Sequence, residues 1–340
     1  MKKGISSTCR QERQNPNSRN CGLRSRDINQ AGKNAMWEKF NAGQVGFQTV
    51  IEQSTRFTQF SGFIRENFNV GDIRNITRDH VIQYAEQLNA KIVADDISVK
   101  TGHDYLSAVN SILSQAIGNA SLRVTGSEAG LPSRSGVATQ NKAITNTEHN
   151  NIKSQLSERH AIMSDMQRAF GLRFEEASKA NPSVMLKEAL QKQAITVSEG
   201  TKGGQSREVP IRSQVQIDIL RTASVFQGNH HSMIPNGQTY AQFHSQSYRE
   251  FGRLSYHTHS ERHSYAQQSY SNHIQQKTGV QNILCPVAAG ISHGTQHINY
   301  IAEKAGLTVE NAKALDNYAR IQVAEELGHH RMDITNSYLG

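Results

Sequence analysis

Leu327-Gly328-His329-His330-Arg331-Met332-Asp333-Ile334-Thr335-Asn336-Ser337-Tyr338-Leu339-Gly340 is the stretch on which the fold turns. A histidine follows a Leu-Gly turn, a tyrosine comes nine positions later, and a threonine stands three before the tyrosine. By itself this describes the glycine-capped end of an amphipathic helix followed by another helical turn. Its meaning depends on what lies upstream.

Three upstream fragments carry residue types with chemistry to offer. In Gly171-Leu172-Arg173-Phe174-Glu175-Glu176 an arginine follows a glycine turn and an acid comes three residues later, which alone is a helix start with an i,i+3 ion pair. Thr201-Lys202-Gly203-Gly204 lies between two strand-like runs, Ala194–Val197 and Glu208–Ile211. It is a hairpin turn with a solvated lysine, or a place where glycines admit a ligand close to the backbone. It is not a phosphate-binding Walker loop, because no Gly-x-x-x-x-Gly-Lys-Ser/Thr is present. In His257-Thr258-His259-Ser260-Glu261-Arg262-His263-Ser264-Tyr265-Ala266, His259 and Arg262 share a helix face and can grip one phosphate together. His259 and His263 have zinc-pair spacing, but His-Ser-Glu-Arg-His lacks the general base of His-Glu-x-x-His. Cys285, His293 and His297 are too loosely spaced to make up the set, so no metal is expected.

The rest of the chain sets the context. With 340 residues it is long enough for two domains and a sizeable core. No apolar run approaches a membrane span, and no apolar core follows Met1-Lys2-Lys3 to make a secretory signal. Three scattered cysteines (Cys9, Cys21, Cys285) fit a reduced, cytoplasmic protein and not a disulfide framework. The net charge of +8 points to polyanions. Nine cations and three acids in residues 1–40 supply +6 of it, leaving +2 for the other 300 residues. Residues 1–46 therefore read as a basic, flexible tail, either merely solvated or an arm that neutralises phosphates. Helical periodicity follows: Val50, Phe57, Phe60 and Ile64; then Val81, Tyr84 and Leu88 after a Thr77 or Asp79 cap; then Tyr105, Val109, Ile112, Leu113 and Ala116 after Ser98 or Thr101. These make an all-α domain over 47–118. Arg56, Arg65, Lys91 and Lys100 on its polar faces are candidate DNA contacts, with plain exposure to water as the default. Residues 119–146, rich in Gly, Ser and Thr, read as a linker. Residues 147–340 read as an α+β domain, mostly helical with a small β-sheet and no internal repeat.

In sequence order, Gly-Leu-Arg-x-x-Glu, a hairpin lysine before Val-Pro-Ile, His-x-x-Arg-His-x-x-Ala, and Leu-Gly-His with Thr-x-x-Tyr resemble the tyrosine recombinase (phage integrase) family. The resemblance spans about residue 147 to the end, with the preceding helices similar to that family's SAM-like core-binding domain. It implies two domains clamping double-stranded DNA at specific sites, a homotetramer on synapsed DNA, possible accessory DNA-bending or directionality factors, and no membrane. Carried over by position, Arg173 and Arg262 are the phosphate-clamping arginines, Lys202 the hairpin lysine, His259 and His329 the two histidines and Tyr338 the nucleophile. Glu176 supports Arg173.

The chemistry asks for these types. A phosphodiester repels nucleophiles, so always-charged guanidinium forks must meet the charge that builds on its non-bridging oxygens. A phenol is a weak nucleophile at neutral pH and needs a base such as His259. A mobile lysine can protonate the leaving 5′-oxygen, and His329 can hydrogen-bond the phosphate. The implied 3′-phosphotyrosyl link stores the bond energy, so neither ATP nor a metal cofactor is called for. The expected function is a site-specific recombinase or integrase of a mobile element or prophage. The alternatives are an inactive DNA-binding protein of the same fold and a type IB-like topoisomerase.

Two departures stand out. Arg262 and His329 are 67 residues apart, which implies an insertion at about 277–316, expected as a subdomain over the DNA or at a subunit contact. His330 also competes with His329, although the spacing to Tyr338 favours His329. The sequence ends two residues after Tyr338, where many relatives continue into a segment that docks on a neighbouring subunit.

Overall fold

The computed structural model of the chain describes residues 13–329 and 331–340, and divides it into two compact units, Met1–Ser135 and Gly136–Gly340. Among the described residues no helix is long and apolar enough to cross a membrane.

Among the described residues of the first unit, all the regular elements are helical. Helix α1 (Ile28–Asn41) starts where the Asp27 carboxylate accepts the Gln30 N–H. Helix α2 (Phe47–Phe68) ends at Asn69 in the left-handed region. A Thr77–His80 capping box opens α3 (Arg78–Val93), and Ser98 caps α4 (Val99–Ile117), which stops at Gly118. Phe57, Phe60 and Ile64 from α2, Tyr84 and Leu88 from α3, and Val109, Ile112 and Leu113 from α4 are buried together as the periodicity predicts.

The basic tail reading fails for much of its length. Ile28, Ala31, Ala35 and Met36 of α1 are buried in the same core. Arg13 is buried as well. It pairs with Glu38 and donates to the carbonyls of Cys21, Gln115 and Ala116, which closes the C-terminus of α4. The abundance of Ser, Asn and Gln hid a helix whose apolar stripe is built from small residues with one isoleucine and one methionine. Lys2, Lys3, Arg10 and Cys9 lie outside the described residues. The linker reading is also shortened: Val124, Ala129 and Leu131 join the first core, and Asn110 brackets Val124 with two hydrogen bonds.

The second unit opens with α5 (Asn146–Lys153), α6 (Glu158–Phe170), α7 (Phe174–Lys179) and α8 (Pro182–Lys192). Strands β1 (Ala194–Val197) and β2 (Arg207–Pro210) pair antiparallel, with Ile195 opposite Val209 and Val197 opposite Arg207. These four residues form the buried face of the hairpin, so Arg207 points inward. Then follow α9 (Gln214–Gln227), α10 (Tyr240–Arg253), α11 (His259–Thr278), α12 (Pro286–Ala289), α13 (Thr295–Ala305), α14 (Val309–Glu326) and α15 (Asn336–Leu339). This is the expected mainly helical unit with one small sheet. The segment 277–316 is not a separate lobe within it. Ile283, Cys285, Ile301, Ala312 and Leu315 belong to the same hydrophobic core as Phe170, Leu220 and Tyr270.

If α1 is part of the first core, Met36→Ala should lower the unfolding free energy by about 2–5 kcal/mol, the usual cost of truncating a buried methionine. Lys33→Ala on its exposed face should stay within about 0.5 kcal/mol. Chemical denaturation of both variants checks this, and equal small effects would show that α1 is not anchored.

Candidate active site

The site grows from the end of α6. Gly171 takes φ 61 there, and a Cβ would lie 2.5 Å from the Tyr265 ring, so glycine alone turns the chain at this point. The turn places Arg173 at the N-cap of α7 and Glu176 one turn inside it. Glu176 is fully buried. Its carboxylate accepts from the Arg173 backbone N–H at 2.8 Å and from Arg173 Nη1 at 2.7 Å. Arg207 adds a two-pronged pair at 2.9 and 2.7 Å, and Arg262 Nη1 stands 3.7 Å away. Burial alone would raise this carboxyl, but the hydrogen bonds and charge of Arg207, with the charge of Arg262, outweigh it and hold Glu176 at about 2.

Arg262 lies one turn into α11 and is completely buried. Its Nη1 donates to the Gly171 carbonyl and its Nη2 to the Leu327 carbonyl at 2.5 Å. Its Nε reaches the Tyr338 hydroxyl at 3.3 Å, and the guanidinium carbon is 5.7 Å from the Tyr338 ring centre. Burial, with the charges of Arg173 and Arg207, brings even this arginine down to about 10. At the far end of α14, Gly328 takes φ 70, and its missing Cβ leaves room for the Arg207 side chain 3.0 Å away. That turn sets His329 beside the tyrosine.

Three imidazoles surround Tyr338, with ring centres 4.8 Å (His263), 5.6 Å (His259) and 6.0 Å (His329) from its own. All three are held near 4. Removal from water is the first cause, and nearby cations add to it: Arg262 and Arg173 for His259 and His329, and Lys142 for His259 and His263. At neutral pH the rings are therefore uncharged. His329 Nε2 and His263 Nδ1 are buried and have no hydrogen-bond partner, a deficit that an incoming oxygen ligand would satisfy.

The structure thus brings Arg173, Glu176, Arg262, His259, His329 and Tyr338 together. It does not bring Lys202 to them. That side chain is exposed on the hairpin turn and makes no hydrogen bond or ion pair with a described residue. His330 lies outside the described residues. Among the candidate DNA contacts, Arg56 pairs with Glu52 and Asp104, Arg65 with Asp27 and Lys100 with Asp104, while Lys91 is exposed without a carboxylate. Surface pairs of this kind are worth about 0–1 kcal/mol and yield readily to a phosphate. Among the described residues no group of three or more His, Cys, Asp or Glu side chains is placed to hold a metal ion.

Residue reading missed Arg207, His263 and Lys142. Arg207 had a usable signal, since strand alternation puts it on the same face as the buried Val209. His263 enters the sequence reading as half of a zinc pair and as a member of His-x-x-Arg-His-x-x-Ala with no role assigned, and Lys142 falls in the stretch read as a linker.

Residues 132–268 match the model of the integrase family. The matched stretch takes in Arg173, Glu176, Lys202, His259 and Arg262 and stops short of His329 and Tyr338. The chain is similar to the Tn1549 transposon integrase solved with transposon right end DNA, at 10% identity and a TM-score of 0.51, covering 91% of this chain and 94% of that one. A second structure of that integrase, with a circular intermediate DNA, gives 12% identity and a TM-score of 0.50 over the same shares. At such identities the likeness is one of fold. No curated protein matches the chain.

Glu176 provides a test of the charge balance. Its folded value lies below the ordinary 4.5, so its contribution is fully present above pH 4.5 and is lost as pH falls towards 2. Glu176→Gln should cost roughly 3–5 kcal/mol at pH 7, because it strands buried arginines. The gap to the parent should narrow below pH 4.5 in denaturant titrations; a constant gap would remove Glu176 from its central role.

Proposed function

We propose that this chain is a site-specific DNA recombinase, the integrase of a mobile element or prophage, which breaks and rejoins duplex DNA through a 3′-phosphotyrosyl link on Tyr338. One observation carries the reading: the Tyr338 hydroxyl meets the Nε of a buried arginine, and the tyrosine ring lies among three uncharged histidines. A structural tyrosine needs one hydrogen-bond partner, not a surround of bases and guanidiniums.

In this reading Arg173 and Arg262 bind the non-bridging oxygens of the scissile phosphate. Arg173 keeps a partly exposed side chain for the purpose, and Arg262 exchanges the Tyr338 hydroxyl for a phosphate oxygen. The free His329 Nε2 adds a hydrogen bond to the phosphate. His259 takes the phenolic proton as the Tyr338 oxygen attacks phosphorus. The P–O bond to the 5′-oxygen breaks, and Lys202 on its turn supplies that oxygen with a proton. A 5′-hydroxyl from a second duplex then attacks the phosphotyrosine and releases the enzyme. Four protomers holding two sites supply that second duplex. Arg56, Arg65, Lys91 and Lys100 of the first unit contribute backbone contacts.

A nicked target duplex tests the reading, because the nick traps the covalent adduct. Tyr338→Phe should abolish the adduct while leaving DNA affinity unchanged; an adduct that persists overturns the assignment. Transfer of a labelled strand between two duplexes should follow, whereas relaxation of supercoils without such transfer would mark a topoisomerase.

Lys202 has its own test. Lys202→Ala should slow cleavage by about 10²–10⁴-fold, the usual worth of general acid catalysis. Replacing the leaving 5′-oxygen with sulfur should restore the rate, since a thiolate departs without a proton. A variant equally slow on both substrates would deny the lysine that role.

A further inference from the structure

The turn that carries Tyr338 is gripped at both ends by one buried residue that takes no part in the scheme above. At its start, Asn336 Oδ1 accepts from Arg320 Nη1 at 3.0 Å. At its end, the Gly340 carbonyl accepts from Arg320 Nη2 at 3.0 Å and lies 2.9 Å from His293 Nδ1. Two further contacts close the other sides: Ala138 N–H to the Asn336 carbonyl at 2.8 Å, and Gln267 Nε2 to the Tyr338 carbonyl at 3.4 Å.

Arg320 is itself held. It is 2% exposed, and its Nε donates to Asp316 at 2.9 Å. Asp316 also accepts from the Tyr270 hydroxyl at 2.6 Å and stands 3.6 Å from His297 Nδ1. The His297 Nε2 lies 2.9 Å from the Leu284 carbonyl. Asp316, His297, His293 and Leu284 all come from the segment 277–316 that lengthens the chain between Arg262 and His329.

We propose that Arg320 is a positioning residue for Tyr338, and that the 277–316 segment serves as an internal dock holding the nucleophile turn in cis, against the arginines and histidines of its own protomer. A four-residue helix has no stability of its own, since nucleation costs more than its few hydrogen bonds return. Its geometry must be imposed from outside, and a single guanidinium spanning both ends imposes it. A misplacement of about 1 Å at a reacting atom costs about a hundredfold in rate.

The inference rests on Tyr338 being the nucleophile, and the experiment separates the two. Full-length Tyr338→Phe, Arg320→Met, Arg320→Lys and Asn336→Ala are compared on the nicked duplex for DNA affinity and single-turnover adduct formation. Arg320→Met and Asn336→Ala should form adduct about a hundredfold more slowly at unchanged DNA affinity. Arg320→Lys, which can still reach one acceptor, should recover part of the loss. Asn336 is only half-buried, so its variant decides the matter if Arg320→Met does not fold. Mixing Tyr338→Phe with Arg173→Ala protomers should yield no adduct, because a tyrosine delivered in cis cannot serve its neighbour. An adduct in the mixture overturns the proposal, as does parent-like cleavage by Asn336→Ala while Tyr338→Phe is inactive. Persistence of the adduct in Tyr338→Phe would instead overturn the nucleophile assignment on which the proposal stands.

Discussion

The site depends on a buried carboxylate between three guanidiniums. Glu176 meets Arg173 from its own helix start, Arg207 from the hairpin and Arg262 from α11. Three cations this close would repel one another strongly without it, and an unpaired buried carboxylate would be costlier still. The arrangement leaves a local surplus of positive charge, which is what a phosphodiester requires. It also fixes where that charge sits: the Arg207 fork binds both carboxylate oxygens, the Arg173 fork binds one, and Arg262 stands 3.7 Å away. Arg207 takes the largest share of these bonds and reaches across to the Glu326 carbonyl at 2.7 Å, joining the hairpin to the end of α14. The hairpin thus braces the arginines with its inward face and presents Lys202 from its outward tip.

The same surplus reinforces the state that burial gives the histidines. Removed from water and packed near cations, His259, His263 and His329 stay neutral. In the proposed reaction, an anion entering the site would offset the arginine charge and raise proton affinity on the rings. Binding and base strength are thereby coupled through one set of charges.

Much of this was legible in the sequence. Helices α2, α3 and α4 follow from cap residues and apolar spacing, and the ordered fragments around Arg173, Arg262, His329 and Tyr338 converge as their order implies. Three things were hidden, each for a physical reason. Helix α1 buries two alanines and a glycine between Ile28 and Met36, a stripe with little hydrophobic signal, and so it read as a polar tail. Arg207 looked like part of a turn because a four-residue strand offers only two inward positions to reveal alternation. The segment 277–316 looked like an added lobe because its few apolar residues are spread over short helices, and only the fold shows them sharing a core.

Rotation of α11 is the remaining degree of freedom, and it is fixed by adjacent residues that point apart. Arg262 faces the Tyr338 hydroxyl, whereas Glu261, next in sequence and also fully buried, accepts from Arg168 and the Tyr256 hydroxyl and contacts His149. Farther along the helix, Tyr265, Ser269 and His273 all close on the Glu326 carboxylate. Apolar packing tolerates small rotations because it lacks direction, but charged hydrogen bonds on different sides of one helix do not. Stability alone does not require such clusters, since buried ion pairs can often be replaced by well-packed apolar residues at no cost. What they hold is the bearing of Arg262 relative to the tyrosine, and a helix free to turn by a fraction of a residue would lose it.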